Sequence, residues 1–380
     1  MYFRLNPECY LIRGIRNGAI IDLIDNKIYA LDENEALLLT LCEKNNLIRG
    51  NEELLNELKQ LCLGNFYPKN VYIQKLRAGS ITKGNQKDQP PELFRAFIEI
   101  NNKCNRECWF CGYYGIKRSS GCIGCNKWND DGEELTIMRL KELLDELKDL
   151  DCKDIYIIGG DLTLDWNRTM EILEHANKKF VNLFITLHEQ SLSKDIIDDL
   201  ENKAKLIIQT DNLKNRNFHN FITLLSIKPE DWMSADIIED ENIIIDFIID
   251  SENSLIADIP IMSKKKIQAI DMHDFLNNIE YHPCLGHTLA ISYTGNVLPC
   301  PMMRNHVLGN INNKALYSIF DEKINDIDKF WNLTLDKIDK CTKCEFRYIC
   351  IDCRCLEEKL TGKIDGKRIC SYDPEIGKWL

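Results

Sequence analysis

Three cysteines in one short loop are the first residues of the chain whose type and spacing could do chemistry. Cys104, Cys108 and Cys111 have the spacing C-x3-C-x2-C in the run INNKCNRECWFCGYYG. Three thiolates on a tight loop can bind three corners of a [4Fe–4S] cluster, which leaves one iron open to an external ligand. Structural zinc is the alternative, but zinc needs a fourth protein ligand, which Cys122 or Cys125 could supply. The loop is therefore predicted to hold a metal centre, and its spacing favours a cluster with an open iron.

A second group of cysteines lies near the C-terminus, where regular periodicity fades. Eight cysteines fall between residues 284 and 370, which is more than the four ligands of one zinc ion. Two zinc ions or two iron–sulfur clusters would both fit this number. His282 and His287 flank the first of these cysteines and are expected to be solvated rather than ligating. The eight are Cys284, Cys300, Cys341, Cys344, Cys350, Cys353, Cys355 and Cys370.

The total number of cysteines limits the environment of the protein. The 380-residue chain has 17 cysteines, an odd number, and its N-terminus lacks the basic-then-apolar pattern of a signal peptide. Disulfide frameworks are typical of short secreted chains. We therefore expect reduced thiols, a cytoplasmic location and cysteines that bind metals or clusters.

The remaining cysteines are given simpler interpretations. Cys122 and Cys125 form a C-x2-C pair that could bind a metal, act as a redox pair or be incidental. The others lie in apolar or helical contexts and are predicted to be small core residues. They are Cys9, Cys42, Cys62 and Cys152.

Composition and charge disfavour several classes of protein. An apolar fraction of 44% and a charged fraction of 28% are typical of a globular protein, here long enough for two or three domains. No apolar run approaches the length of a membrane span. The net charge of −12 disfavours a nucleic-acid partner, because an acidic surface repels the phosphate backbone.

The central part of the chain alternates apolar β-type runs with helical patterns, which predicts an α/β fold. Six such strands imply parallel βα units, arranged as a barrel or a doubly wound sheet. Active sites in these folds lie at the carboxyl ends of the strands. The C-x3-C-x2-C loop follows the first strand and is therefore predicted to lie at this edge. The strands are Phe94–Ile100, Asp154–Ile158, Val181–Leu187, Leu206–Thr210, Phe221–Ile227 and Ile243–Ile249.

The first 80 residues are predicted to form a separate small α+β domain. Short β-type runs at Tyr10–Gly14, Ala19–Ile24 and Lys27–Leu31 predict a three-stranded meander. Two helices, at about residues 34–42 and 52–61, and a strand at Val71–Leu76 are expected to follow. The predicted division is residues 1–80 for this domain, 81–92 for a polar linker with proline, 93–280 for the barrel and 281–380 for a cysteine-rich domain.

The first cysteine loop resembles the radical S-adenosylmethionine (SAM) superfamily, in which an aromatic residue precedes the third cysteine, as Phe110 does here. The resemblance covers residues 94–280 and implies a partial (β/α)6 barrel. It implies that Cys104, Cys108 and Cys111 hold a [4Fe–4S] cluster whose open iron chelates SAM, with Phe110 near the adenine. In this family, an electron from a donor such as flavodoxin or ferredoxin leads to cleavage of SAM. The resulting 5′-deoxyadenosyl radical abstracts a hydrogen atom from the substrate.

A Gly-Gly-Asp sequence at the end of the second predicted strand supports this resemblance. Gly159 and Gly160 would let the backbone approach a ligand, and Asp161 offers a carboxylate to an ammonium group. The family usually has Gly-Gly-Glu-Pro here, in contact with the amino group of SAM, whereas this chain has Asp161 for Glu and Leu162 for Pro. A plain βα turn is the alternative. We predict that Gly159, Gly160 and Asp161 bind SAM.

The C-terminal cysteines resemble the SPASM extension, which follows some radical SAM barrels and binds two auxiliary iron–sulfur clusters. Its pattern is C-x9-15-G-x4-C, then C-x2-C-x5-C-x3-C, then a distant cysteine. This chain matches every part except the x3 spacing, which is x2 here. The resemblance assigns the outer cluster to Cys341, Cys344, Cys350 and Cys370. It assigns the inner cluster to Cys284 and Cys300 with Cys353, Cys355 or both, and leaves an open iron as an alternative.

The SPASM subfamily mostly acts on peptides and proteins, and the tail CEFRYICIDCR is similar to peptide maturases. The N-terminal meander and helices resemble their winged-helix-like domain, which captures a leader peptide by adding it as a strand. A structural cap on the barrel is the alternative. The resemblance implies oxidation of a ribosomally synthesised precursor peptide to form an intramolecular thioether, ether or carbon–carbon crosslink. The alternatives are a formylglycine-forming enzyme similar to anaerobic sulfatase maturases, a non-catalytic cluster scaffold and a zinc-binding interaction protein.

Overall fold

The structure is a computed structural model that describes most of the chain. The described residues are 1–44, 53–77, 93–112, 115–212, 218, 220–234, 242–249, 267 and 270–379. Within these residues the strands form one ten-stranded sheet and three small sheets. The predicted linker, residues 81–92, lies outside the described residues.

The N-terminal region forms two small antiparallel sheets and two helices. Its elements are β1 (Tyr2–Leu5), β2 (Cys9–Arg13), β3 (Gly18–Asp22), β4 (Lys27–Leu31), α1 (Glu33–Glu43), α2 (Glu53–Gln60) and β5 (Gly64–Tyr67). β2, β3 and β4 form the predicted meander, whereas the pairing of β1 with β5 was not predicted. α1 begins where the sequence indicates because the Asp32 carboxylate accepts from the N–H groups of Asn34 and Glu35. The Glu35 carboxylate in turn accepts from the Asp32 N–H, which completes a capping box.

The predicted strand at Val71–Leu76 is wrong. The described residues 71–77 have no strand assignment, and their carbonyl groups bind side chains instead. Arg4 Nε donates to the Val71 carbonyl oxygen over 3.1 Å, and the Tyr10 hydroxyl donates to the Leu76 carbonyl oxygen. The segment therefore lies along the small domain without joining a sheet.

The central region contains the predicted parallel strands. Its elements are β6 (Arg95–Glu99), β7 (Lys117–Arg118), α3 (Ile137–Asp149), β8 (Asp154–Ile158), α4 (Trp166–Ala176), β9 (Asn182–His188), α5 (Lys194–Leu200), β10 (Lys205–Thr210), β11 (Ile222–Ile227), α6 (Pro229–Ser234), β12 (Ile243–Ile249) and α7 (Met272–Glu280). β6, β8, β9, β10, β11 and β12 are neighbours in this order, and each pair is parallel. This confirms the α/β class and the six strands of the partial (β/α)6 barrel.

The helices cover the sheet with apolar faces at helical spacing. On α3 the buried side chains recur every three or four residues and join the main core. They are Leu140, Leu143, Leu144 and Leu147. None of the helices in the described part of the chain is long and apolar enough to cross a membrane.

The C-terminal region extends the large sheet. Its elements are β13 (Thr288–Ile291), β14 (Asn296–Leu298), β15 (Gly309–Asn310), α8 (Leu316–Trp331), α9 (Asp339–Thr342), α10 (Arg354–Thr361), β16 (Tyr372–Asp373) and β17 (Lys378–Trp379). β13 pairs in parallel with β6, and β14 and β15 follow as antiparallel strands. The sheet thus continues past residue 280, where the sequence division places the C-terminal domain. That division remains a prediction.

The N-terminal meander packs against α7 and the C-terminal region. Ile12 shares an apolar cluster with Phe275 of α7 and with Ile349. Arg347 Nη1 donates to the Arg13 carbonyl oxygen over 3.0 Å. The meander therefore has a fixed position next to the C-terminal cysteines.

Candidate metal centres

The loop after β6 brings three thiols to one cavity. Cys104, Cys108 and Cys111 line one cavity. Gly160, which follows β8, and His188, which ends β9, line the same cavity. The loop therefore lies at the carboxyl edge of the parallel strands, as the fold predicts.

Backbone N–H groups point at two of these sulfur atoms. The Arg106 N–H lies 3.5 Å from Cys104 Sγ, and the Lys127 N–H lies 3.3 Å from Cys111 Sγ. Such hydrogen bonds stabilise a thiolate and adjust the potential of a bound cluster. Burial, together with the neighbouring thiols, raises the pKa of Cys108 to about 11, so binding of a cluster must release its proton.

Phe110 forms a buried, flat wall of the cavity. Its ring is nearly parallel to that of His188, with the ring centroids 6.2 Å apart. Arg118 Cζ lies 5.5 Å from the Phe110 ring centroid. An apolar ring held in this way suits an aromatic ligand, and the contact of Phe110 with adenine remains a prediction.

The Gly159–Gly160 pair is required by the packing of the chain itself. A Cβ on Gly159 would lie 2.6 Å from the Asn101 carbonyl oxygen, and one on Gly160 would lie 2.3 Å from the Lys103 carbonyl oxygen. The glycines therefore let the end of β8 pack against the start of the cysteine loop. This packing, and not the approach of a ligand, explains why glycine is needed at both positions. Gly160 also lines the cavity, so its predicted contact with SAM remains open to test.

Asp161 already binds side chains of the protein. Its Oδ2 accepts from Arg106 Nη1 over 2.6 Å, and its Oδ1 accepts from Thr163 Oγ1 over 2.7 Å and from Ser191 Oγ over 3.1 Å. Burial raises the pKa of Asp161, but the hydrogen bonds from Thr163 and the charge of Arg106 outweigh it, so the pKa is lowered. The carboxylate is therefore ionised, and an incoming ammonium group would share it with Arg106.

Four C-terminal cysteines line a second cavity. Lys340, Arg347 and Lys367 line it as well. Four thiolates can bind all four irons of a cubane cluster, and nearby cations offset the negative charge of such a group. The four are the residues predicted for the outer cluster, Cys341, Cys344, Cys350 and Cys370.

The other four C-terminal cysteines lie near one another: Cys284 precedes β13, Cys300 follows β14, and Cys353 and Cys355 lie at the start of α10. Burial holds the pKa of Cys300 well above its usual range, and the nearby thiols of Cys122, Cys355, Cys284 and Cys353 raise it further. Cys355 Sγ donates to the Met302 carbonyl oxygen over 3.2 Å. Cys353 occupies the N-cap position of α10, where N–H groups point outward. The structure thus brings together the residues predicted for the inner cluster.

A buried ionic network connects the two groups of cysteines. The Asp352 carboxylate accepts from His282 Nε2 over 3.0 Å, from Arg354 Nη2 over 2.7 Å and from Lys367 Nζ over 2.5 Å. Burial alone would raise the pKa of Asp352, but the charge of Lys367 and the bond from His282 hold it well below its usual range. His282 Nδ1 accepts from the Cys284 N–H over 3.0 Å. The network therefore holds the segment with Cys284 against the segment with Cys350 and Cys353, and both segments carry predicted cluster ligands.

Two expectations for single residues fail here. His282 and His287 are buried rather than solvated, because His282 binds Asp352 and His287 stacks on Phe94. Asp352 was not predicted from the sequence. The one available signal was a charged residue between two predicted ligand cysteines, in the run ICIDCRC.

Cys122 and Cys125 do not act as one pair in the structure. Cys125 lines the first cavity, and its Sγ lies 3.7 Å from the Thr186 carbonyl oxygen. Cys122 packs instead against a small apolar cluster that includes Phe97 and Leu298. The two thiols therefore serve different parts of the molecule.

The other single cysteines follow the simpler interpretation with one exception. Cys9, Cys42 and Cys152 are buried in the core, as predicted. Cys62 is exposed, because it lies in the turn after α2, so the prediction for it is wrong.

Comparison with known families identifies two domains. Residues 98–234 match the family model of the radical SAM superfamily. Residues 284–345 match the model of SPASM, an iron–sulfur cluster-binding domain. The chain therefore contains a radical SAM domain and a SPASM domain, which confirms both resemblances and indicates SAM and iron–sulfur clusters as cofactors.

Structural alignment matches the chain to solved structures of the protein SuiB from Streptococcus suis. The crystal structure of SuiB bound to S-adenosylmethionine aligns with a TM-score of 0.47, and that of SuiB bound to the precursor peptide SuiA aligns with a TM-score of 0.49. Each alignment covers 96% of this chain and 98% of the other chain, at 14% identity. No curated protein matches the chain.

Proposed function

We propose that the protein is a peptide maturase that uses radical SAM chemistry to form an intramolecular crosslink in a ribosomally synthesised precursor peptide. The observation that carries this proposal is the placement of three groups of thiols in one chain with a small N-terminal sheet. The three-thiol cavity lies at the edge of the barrel where substrates bind in this fold class. The crosslink is of the thioether, ether or carbon–carbon type.

The first cavity would hold SAM and its cluster. Cys104, Cys108 and Cys111 supply three thiolates, which leaves one iron without a protein ligand and open to SAM. When bound, the cofactors supply a 5′-deoxyadenosyl radical that removes a hydrogen atom from the peptide, and an acceptor for the second electron. Arg106 offers a charge that fits a carboxylate, and Asp161 offers an ionised acceptor for an ammonium group.

The two C-terminal groups of thiols would hold auxiliary clusters. Four thiols around the second cavity, with three cations beside them, support the outer cluster. The buried thiols near Cys300 support the inner cluster. Three [4Fe–4S] clusters would give about twelve irons per chain. Flavodoxin or ferredoxin is the proposed electron donor, and the free thiols of the chain are in keeping with a reducing, cytoplasmic location.

The N-terminal meander would bind the leader of the precursor peptide. β4 pairs with β3, and in the described part of the chain no strand covers the other edge of β4. An open edge can accept an extended peptide as an additional strand. α1 begins two residues after β4 and carries two exposed leucines one turn apart, Leu37 and Leu41. These side chains offer apolar contacts to a peptide docked beside them.

The test is mass spectrometry of small peptides encoded beside the gene. The protein is purified and reconstituted without oxygen and incubated with SAM, a reductant and each peptide. We expect one peptide to lose two hydrogens, about 2 Da, and to remain unmodified with a variant that carries Cys104→Ala, Cys108→Ala and Cys111→Ala. Cleavage of SAM with no change in any of the peptides would contradict the peptide substrate. Formylglycine in a peptide that has no leader would identify the alternative activity.

A further inference from the structure

Cys122 is a thiol for which the proposed function has no role. It lies in the loop of residues 119–126, between the first cysteine motif and α3, far in sequence from the SPASM cysteines. It is half-buried and packs in an apolar cluster with Leu298 of β14 and Ala290 of β13. Cys300 comes two residues after Leu298. The fold therefore brings a thiol from the radical SAM region to the group proposed for the inner cluster.

The loop that carries Cys122 is held rigidly across the ends of the parallel strands. The Ile123 carbonyl oxygen accepts from Thr186 Oγ1 of β9 over 2.6 Å. The Cys125 N–H donates to Gln209 Oε1 of β10 over 2.6 Å. Cys122 lies between these residues and Ser120, whose N–H donates to the buried carboxylate of Asp246 over 2.8 Å. Fixation on three strands means that the position of Cys122 is set by the barrel.

The same loop contacts the turn that follows Cys300. Asn126 Nδ2 donates to the Gly121 carbonyl oxygen over 2.7 Å and lies 3.9 Å from Met302 Sδ. The Met302 carbonyl oxygen accepts from Cys355 Sγ. Cys122 and Cys353 also pack against the apolar core that includes Cys300 and Cys355. Cys122 therefore lies in the same packed region as three of the four C-terminal thiols proposed for the inner cluster.

A partly buried arginine lies on the same side of the sheet as Cys122. Arg95 Nε is buried, and among the residues that the structure describes it has no hydrogen-bond partner. On β6 the Arg95 side chain lies on the same face as that of Phe97, which packs with Cys122. The Arg95 N–H donates to the His287 carbonyl oxygen over 3.1 Å, three residues after Cys284. The sulfur atoms of an anionic iron–sulfur cluster would supply the missing acceptor, so the residues present fit such a group.

We infer that Cys122 is the fourth ligand of the inner auxiliary cluster, together with Cys284, Cys300 and Cys353. This inference rests on the proposed auxiliary clusters. It gives the inner cluster a complete set of thiolates, one of them from the radical SAM region, and therefore no open iron for a substrate thiolate. Cys355 is left out because its thiol is already bound to the Met302 carbonyl oxygen.

The experiment uses the Cys104→Ala, Cys108→Ala, Cys111→Ala chain, in which only auxiliary clusters can form. We expect about eight irons per chain in this parent, and two reduced clusters in its EPR spectrum. Adding Cys122→Ala should change the spectrum of one cluster and make one iron exchangeable. The double change Cys122→Ala and Cys355→Ala, which removes the nearest replacement ligand, should lower the iron content to about four. Cys62→Ala, which removes an exposed and remote thiol, is the matched control.

The outcomes distinguish a failure of the proposed auxiliary clusters from a failure of the role of Cys122. A parent without auxiliary iron would refute the proposed clusters themselves. A parent with about eight irons whose spectrum and iron content are unchanged by Cys122→Ala would overturn only the role of Cys122. Loss of both clusters in the Cys122→Ala chain would also overturn the role of Cys122. The outer cluster has its own four cysteines, so it should remain and show in the same sample that the chain is folded.

Discussion

The Arg106 guanidinium and the Asp161 carboxylate form an ion pair, with Nη1 2.6 Å from Oδ2. It joins the first cysteine loop to the residues after β8 at the edge of the first cavity. Thr163 and Ser191 donate to the other carboxylate oxygen, so the charged group is held from three directions. A carboxylate fixed in this way keeps its position when a ligand binds beside it.

Asp161→Asn should weaken SAM binding about ten- to a hundredfold, because a hydrogen bond to a charged group contributes about 1.5–3 kcal/mol. The change also leaves the Arg106 charge without its partner next to a cationic ligand. Equilibrium dialysis of SAM against the reconstituted protein measures the effect. Asp165→Asn is the control, since Asp165 pairs with the exposed Lys103. Equal affinities of Asp161→Asn and the native protein would exclude the predicted contact.

Lys367→Met should lower the reduction potential of the outer cluster. Lys367 lines the second cavity, and reduction adds a negative charge that a nearby cation stabilises. The change also removes a partner of the buried Asp352, at a cost of about 3 kcal/mol in the free energy of unfolding. An EPR-monitored redox titration and urea unfolding measure the two effects. The exposed Lys363→Met should change neither, and an unaltered potential in Lys367→Met would place the outer cluster elsewhere.

Cys353→Ala and Cys355→Ala should differ, although the two residues are neighbours. Cys353 is at the N-cap of α10, where the outward N–H groups favour a thiolate, whereas the Cys355 thiol donates to the Met302 carbonyl oxygen. In the chain that lacks the first three cysteines, Cys353→Ala should alter the EPR spectrum of the inner cluster and Cys355→Ala should not. The reverse result would show that Cys355 is the ligand.

A double change of Leu37 and Leu41 to Asp should weaken binding of the precursor peptide at least tenfold. Contact with each leucine is worth up to about 1.5–3 kcal/mol when it is fully buried. Fluorescence anisotropy of a labelled leader measures the affinity. Val181→Asp, which adds a charge at an exposed position before β9, is the control. Equal affinities of the double variant and the native protein for the leader would show that the leader does not bind at this surface. Point changes are preferable to deletion of the N-terminal region, because deletion would also expose the apolar core that Ile12 shares with Phe275.

The sequence predicted the central strands and the grouping of the cysteines because both depend on local patterns. Period-two and period-3.6 hydrophobicity placed all six parallel strands to within one residue. The spacing between the cysteines predicted which of them line the first cavity and which line the second. The pairing of β1 with β5 was missed, because residues 2–5 and 64–67 are distant in sequence and each run is short.

Residues that depend on long-range contacts were predicted poorly. The packing role of Gly159 and Gly160 needs the position of the Asn101 and Lys103 carbonyl oxygens, which no pattern reveals. His282 was expected in solvent because its partner Asp352 is 70 residues away in sequence. Cys122 was grouped with Cys125 by spacing, whereas the fold turns the two thiols toward different groups.

The most direct test of the account is production of 5′-deoxyadenosine from SAM. The reconstituted protein is incubated with SAM and a chemical reductant, beside the variant with Cys104→Ala, Cys108→Ala and Cys111→Ala, and the product is measured by chromatography. The account predicts that the native protein forms 5′-deoxyadenosine and that the variant forms none while it keeps its auxiliary iron. Formation of 5′-deoxyadenosine by the variant at the native rate would contradict the assignment of the first cavity.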